Sequence, residues 1–308
     1  MLARSTPTQT CLLYYRILML AETIMKHATS RVVRSLIFAA IFISLVPLPA
    51  HAADPDGTLV FGFLPILSTQ QLVKRFKPLV DLLSDTIGQP IRMETAPNYA
   101  EFLKRTKEKR YDILFTAPHF YYLANEESGY QVIVRVNAKE LKAIIVATKA
   151  SHITTMSGLK GKKIAIPDPL SLGAVLIQNT LRNAGLVPNK DVTMIATPSH
   201  NAALLTAYNG VADAAGLMVP PYMRASEQIH NAMVTLGTTA GTPHMPIAVA
   251  SSLNPALVEK ITSVLASLNE TENGKALLKH LAWPMGFVRT TNSEYASLKD
   301  IVLEMHLE

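Results

Sequence analysis

Leu141-Lys142-Ala143-Ile144-Ile145-Val146-Ala147-Thr148 is an apolar run of strand length, and His244-Met245-Pro246-Ile247-Ala248-Val249-Ala250-Ser251 repeats its character further along the chain. Between and around these two runs, short apolar segments alternate with longer stretches of helical spacing, which is the pattern of α/β layering. We read the strands at 141–148 and 244–251 as crossovers between two α/β lobes with a ligand cleft between them. One lobe then combines residues 54–145 with 246–308, and the other is 146–245. Periodicity alone also admits a simple two-domain chain divided near residue 150.

The alternation is regular on both sides of the first crossover. Residues 59–63 read as a buried strand; Leu72, Phe76, Leu79, Val80 and Leu83 fall at helical spacing, and Gly88 closes that helix before a strand at 91–94. Helix at 99–107, strand at 112–115, helix at 120–127 and strand at 132–136 follow. The second set is strand 163–166, helix 171–184, strand 192–196, helix 201–209 and strand 212–217. After the second crossover come helices near 256–268, 274–281 and 294–304.

The composition, 49% hydrophobic and 17% charged over 308 residues, is that of a globular chain. Its formal charge of +6 is unevenly placed: residues 1–52 hold five basic side chains against Glu22, leaving 24 basic and 22 acidic residues in 53–308. No arginine-rich arm remains for a nucleic-acid backbone. The N-terminal part instead has the layout of a secretory signal. Lys26, Arg31 and Arg34 precede an apolar run at 36–46, and Ala50-His51-Ala52 is a small-x-small cleavage site. Translation from Met25 and cleavage near Ala52 are expected. The single cysteine, Cys11, lies upstream of that point, so neither a disulfide nor a lipid-modified cysteine is expected in the mature chain, which would work unanchored in the periplasm; a monomer is expected.

Ligands of open α/β sheets bind beyond the carboxyl ends of the strands, where loops enter helices with unpaired N–H groups. Five such loops carry hydroxyls or imidazoles: Ser68 and Thr69; Asn98 and Tyr99; His119 and Tyr121 after Pro118; Ser171; and Ser199 with His200. The quoted residues include no Arg or Lys, so the set suits a small oxyanion held by dipoles and hydrogen bonds. Each hydrogen bond to a charged group contributes about 1.5–3 kcal/mol, and micromolar affinity needs about 8 kcal/mol net. Four or more donors must converge, which favours closure of both lobes on the ligand. The bland reading stays open beside this one: Ser68, Ser171 and Ser199 are good helix N-caps, and Tyr99 and Tyr121 suit half-buried aromatics with a wet hydroxyl.

At these residues the chain resembles the phosphate/phosphite/phosphonate-binding family of ABC-transporter substrate-binding proteins, which has the type II periplasmic-binding fold. The resemblance rests on Phe61-Gly62-Phe63-Leu64-Pro65, Asn98-Tyr99-Ala100, Ala117-Pro118-His119-Phe120-Tyr121, Leu159-Lys160-Gly161-Lys162, Asp168-Pro169-Leu170-Ser171, Ser199-His200-Asn201 and Gly210-Val211-Ala212-Asp213, in this order, over about residues 58 to 285. It implies an ABC permease as partner, no cofactor and no metal, and ligand contacts at Tyr99, Tyr121, His200 and Asp213, the last toward a ligand amine. The family's Ser-Thr-Ser-Gly turn is here only Ser171-Leu172-Gly173, which implies fewer hydroxyl donors at that helix start.

The same residues bear on two other functional classes. Ser171, His200 and Asp213 supply the residue types of a hydrolytic triad, but Pro169-Leu170-Ser171-Leu172-Gly173 lacks the first glycine of a nucleophile elbow and the chain order differs, so no enzyme is expected. His119, His152, His200 and His244 lack the spacing of a metal site. A periplasmic sensory module docking on a membrane sensor protein would use the same fold, so residue patterns scarcely separate it from a transport protein.

Overall fold

The computed structural model describes residues 57–305. The expected signal segment, the start at Met25, cleavage near Ala52 and Cys11 lie outside the described residues. The chain runs β1 (Leu59–Phe63), α1 (Thr69–Ile87), β2 (Ile91–Thr95), α2 (Tyr99–Lys107), β3 (Ile113–Phe115), α3 (Pro118–Ser128) and β4 (Gln131–Val136). It continues through β5 (Ala143–Thr148), β6 (Lys163–Ile166), α4 (Leu172–Asn183), β7 (Thr193–Ala196), α5 (His200–Tyr208), β8 (Ala214–Met218), α6 (Val219–Met223), α7 (Glu227–Ala232) and β9 (Met233–Thr238). Last come β10 (Pro246–Val249), α8 (Pro255–Ala266), α9 (Glu272–His280), β11 (Phe287–Arg289) and α10 (Lys299–Met305).

Two sheets result, in the orders β11-β4-β10-β3-β1-β2 and β7-β6-β8-β5-β9. They share one plan. In the first, β1 pairs in parallel with β2 and β3, and β10 is inserted antiparallel between β3 and β4. In the second, β6 pairs in parallel with β7 and β8, and β5 is inserted antiparallel between β8 and β9. Both inserted strands are central, so both of their faces are covered. That is why they read as unbroken apolar runs rather than alternating ones, and β5 and β10 are buried almost throughout.

The runs that suggested crossovers are therefore each the first strand laid down after the chain has crossed. The crossing itself is made by residues 137–142 and 239–245, which pair through Leu141 N–H to the Thr242 carbonyl (2.9 Å) and Thr242 N–H to the Leu141 carbonyl (3.0 Å). Residues 143–145, expected in the first lobe, belong to the second sheet because β5 pairs along its length with β8 and β9. Two edge strands are absent from the sequence reading, the six-residue β9 and the three-residue β11, both only partly buried. The helix expected at 294–304 is a 3-10 turn over Asn292–Leu298 followed by α10. By chain order α10 belongs with the first sheet, yet it packs on both α3 and α4 and so spans the two lobes.

Local chemistry places these elements. Helix α1 buries Leu72, Phe76, Leu79, Val80 and Leu83, starts at an Ser68 cap and stops at Gly88, whose φ of 73° lies in the left-handed region that glycine adopts without penalty. Pro78 sits inside that helix and removes the N–H that would bond the Lys74 carbonyl. His280 Nε2, reaching over from α9, donates to that carbonyl at 3.0 Å. Gly62 in β1 lies under the Tyr111 ring, where a Cβ would come within 2.4 Å of ring carbon. The first core gathers Phe61, Phe63, Phe76 and Phe115; that of the second lobe gathers Ile145, Ile164, Leu176 and Ile177. Among the described residues no helix is long and apolar enough to cross a membrane.

Candidate functional site

A cavity of about 270 Å³ lies between the lobes at the carboxyl ends of β1, β2, β3, β6, β7 and β8, just below the range of about 300–1,000 Å³ usual for small-molecule sites. The first lobe contributes Leu64, Ile66, Tyr99, His119, Phe120 and Met245; the second contributes Ser171, Leu172, Gly173, His200, Met218 and Arg224, with Pro220 and Pro221 beside them. Leu141 of the paired connectors closes the back.

Helices begin at this cavity from both lobes, α2 at Tyr99 and α3 at Pro118 from the first, α4 at Leu172 and α5 at His200 from the second. In α3 the cap position is Ala117, which offers no side-chain oxygen, and Pro118 at the first turn has no N–H. The N–H groups of His119 and Phe120 have no partner among the described residues. In α4, Ser171 Oγ accepts from Ala174 N–H at 3.3 Å, which leaves the N–H groups of Leu172 and Gly173 unspent. Helix starts of this kind carry partial positive charge and free donors, so they attract anions.

The side chains add donors of fixed character. His200 Nδ1 accepts from Met218 N–H (3.3 Å), so the ring proton sits on Nε2. Burial, with Arg224 nearby as a lesser cause, lowers this imidazole to about 4 and keeps it neutral at pH 7. Burial first and the Asp168 carboxylate second push the Tyr99 hydroxyl up to about 12, so it remains an O–H donor. Arg224 lies exposed at the rim, and its guanidinium has no hydrogen bond or ion pair among the described residues.

His119 plays a different part. It is fully buried, and its Nε2 donates across the lobe boundary to the Leu170 carbonyl at 2.9 Å. The carbonyl can only accept, so Nδ1 is left as a bare acceptor, and it has no partner. Burial lowers this ring to about 4 against the small opposing pull of the Leu170 bond. A cationic His119 would bury charge without a counterion, which is costly.

The family model for the periplasmic substrate-binding protein of phosphonate ABC transporters matches residues 61–295. The chain belongs to that family. This binding protein is 21% identical over 267 residues to the phosphonates-binding periplasmic protein of Escherichia coli K12, covering 82% of this chain and 79% of that one. It superposes on PhnD1 of Prochlorococcus marinus, solved with methylphosphonate, with a TM-score of 0.71 at 17% identity, over 82% of this chain and 99% of that one. A binding component of a Pseudomonas aeruginosa phosphonate transporter gives a TM-score of 0.68 at 16% identity, over 81% and 86%. The fold is thus the type II periplasmic-binding fold, two α/β lobes around a cleft, and the binding protein is the substrate-binding component of an ABC transporter.

Of the residues expected at the site, Tyr99, His119, Ser171 and His200 line the cavity of this binding protein, and Tyr121, Ser199, Asp213, Ser68 and Thr69 do not. Ser68 and Ser199 are exposed caps, accepting from Gln71 N–H and Ala202 N–H, and Thr69 is the exposed first residue of α1. Tyr121 is buried in the core against Tyr295, and its hydroxyl accepts from Val132 N–H (2.9 Å) and donates to Asn292 Oδ1. The periodicity could not separate Tyr121 from His119 and Phe120, because three consecutive helical residues point in different directions.

Asp213 lies at the opposite end of its sheet. Its Oδ2 accepts from Lys163 N–H at 2.8 Å while its own N–H donates to the Lys163 carbonyl, clipping the start of β8 to the start of β6. Asp112 does the same in the first lobe, accepting from Val60 N–H at 2.7 Å and donating to the Val60 carbonyl. The repeat of this clip in both lobes marks Asp213 as a strand-start residue. Asp213→Ala should cost about 1 kcal/mol of stability and leave ligand affinity unchanged, as paired melting and titration would show. With Asp213 bound to Lys163 N–H at the far end of its sheet and His200 Nδ1 taken by Met218 N–H, Ser171, His200 and Asp213 form no triad.

Arg224 was missed. Its signal was present in the sequence: β8 is parallel to β6, so the segment after Met218 opens on the same edge as the other binding loops, and Arg224 is the first cation along it.

Proposed function

We propose that the closed cleft holds one small phosphoryl-type oxyanion and delivers it to the permease of its transporter. Donors converging from opposing lobes carry this reading: the free N–H groups of His119, Phe120, Leu172 and Gly173, the Tyr99 hydroxyl, His200 Nε2–H and the unpaired Arg224 guanidinium. Four or more bonds of about 1.5–3 kcal/mol each supply the roughly 8 kcal/mol of micromolar binding, and the two lobes together offer seven donors, three from the first and four from the second. The signal-like segment before Ala53 supports export, and the cysteine-free stretch after it supports a periplasmic protein without a lipid-modified cysteine. The sign of the Arg224 charge favours anions over the neutral or cationic solutes that the same fold can carry.

The test is calorimetry on residues 53–308 with phosphate, phosphite, methylphosphonate and methanesulfonate. At least one phosphoryl anion is expected to bind in one-to-one ratio and raise the melting temperature. Arg224→Ala should weaken that binding about tenfold, within the range for hydrogen bonds to charged groups. Binding of a sugar or amino acid with no response to any oxyanion would overturn the proposal.

A further inference from the structure

Two apolar side chains pack across the lobe boundary away from the ligand cavity. Leu170 belongs to the second lobe, in the loop that leads into α4, yet it lies half-buried against a first-lobe cluster that holds Phe102, Phe120 and Tyr121. Its carbonyl takes the His119 bond over the same boundary. Ile301 makes the reverse crossing. Helix α10 is anchored in that first-lobe cluster by the buried Val302, and the neighbouring Ile301 packs both there and against the second-lobe core of Ile164, Leu176 and Ile177. Neither Leu170 nor Ile301 lines the cavity.

Among the described residues the chain passes between the lobes at 137–142 and 239–245, where Leu141 backs the cavity. Opening about these connectors carries the Leu170 loop and α4 away from α3 and α10, and returns apolar surface of Leu170 and Ile301 to water. Burying such surface is favourable whether or not an anion is bound. We infer that Leu170 and Ile301 are positioning residues: they form a seam that holds a share of the ligand-free population closed, and so raise affinity for an anion that neither of them touches. This rests on the lobe-closure reading above and adds what sets its resting balance. The seam is incompletely packed, with a recess of about 190 Å³ bordered by Leu170, Val175, Ile301 and Met305. Side chains along that recess lack contact partners on one side, so the seam biases the lobes toward closure without locking them.

The experiment compares the wild-type protein with Leu170→Ala and Ile301→Ala, by small-angle X-ray scattering without ligand and by calorimetric titration with phosphate and methylphosphonate. Without ligand, each variant should have a larger radius of gyration than the wild type. A saturating anion should bring all three to one value, which a misfolded variant would not reach. Affinity should fall about tenfold in each variant, the result when the closed fraction drops by that factor. Leu170→Val and Ile301→Val, which disturb folding less, should move both readouts in the same direction. Ligand-free scattering that overlays the wild type, or affinities within about threefold of it, overturns the inference. If neither anion binds the wild type, the oxyanion reading falls, and the ligand-free scattering still decides the seam.

Discussion

Carried from pH 7 to pH 5, the folded chain is expected to lose about 2 kcal/mol of stability through His119 alone. The ring is held at about 4 in the folded protein, against about 6.5 in the unfolded chain. Above pH 6.5 the imidazole is neutral in both states and the stability is fully present. Between pH 6.5 and 4 the unfolded chain takes up the proton and the folded one does not, so stability falls with pH. Below pH 4 the loss levels off at about 3 kcal/mol. No carboxylate relieves it: Asp168, in the loop that holds Leu170, caps Leu170 N–H at 2.8 Å instead.

His200 and His244, both lowered to about 4 mainly by burial, act in the same direction and steepen the slope. Urea titrations at the two pH values measure the effect. His119→Gln keeps an N–H donor for the Leu170 carbonyl but cannot titrate, so its pH profile should be shallower than that of the wild type. Parallel profiles would show that His119 is protonated as readily in the folded chain as outside it.

His200→Ala is expected to weaken oxyanion binding by about 10- to 150-fold, the range for one buried hydrogen bond to a charged group. The ring is fixed on three sides. Nδ1 is tied to Met218 N–H, burial keeps the ring neutral, and Gly173 leaves room for Cε1, which would lie 3.0 Å from a Cβ at that position. A donor held this firmly loses little entropy on binding, so its removal reaches affinity almost undiminished. The variant also strands Met218 N–H. A modest drop in the melting temperature of the ligand-free protein is therefore expected beside the affinity loss. Affinity within threefold of the wild type would place His200 outside the ligand's reach.

The strand and helix pattern was largely legible because it depends on local spacing. The buried face of α1, the inserted strands β5 and β10, and the caps at Ser68, Ser171 and Ser199 all follow from residues within a few positions of each other. Edge strands β9 and β11 were not legible. Both are half-buried, β11 spans only three residues, and β9 mixes Thr and Gly into its six, so no unbroken apolar run marks either.

The site was legible in part. Strand-end loops point to Tyr99, His119, Ser171 and His200, and the same rule extended past β8 reaches Arg224. Tyr121 and Asp213 have residue types suited to a ligand, yet their polar atoms are spent on Val132, Asn292 and Lys163.

The sequence by itself determined an alternation of strands and helices in which the apolar runs at 141–148 and 244–251 have to be buried on both faces; whether the two resulting units are joined twice or divided once near residue 150 it left open. It also determined the family, since the ordered motifs span both units. Only the tertiary structure decided where the chain crosses, at the paired Leu141 and Thr242, and which loop residues face one another. The physical reason is the range of the forces involved. A capping serine or a helical stripe is set by neighbours in the chain, whereas His119 on Leu170 and the cavity that joins Tyr99 to His200 and Arg224 exist only once two lobes have packed together.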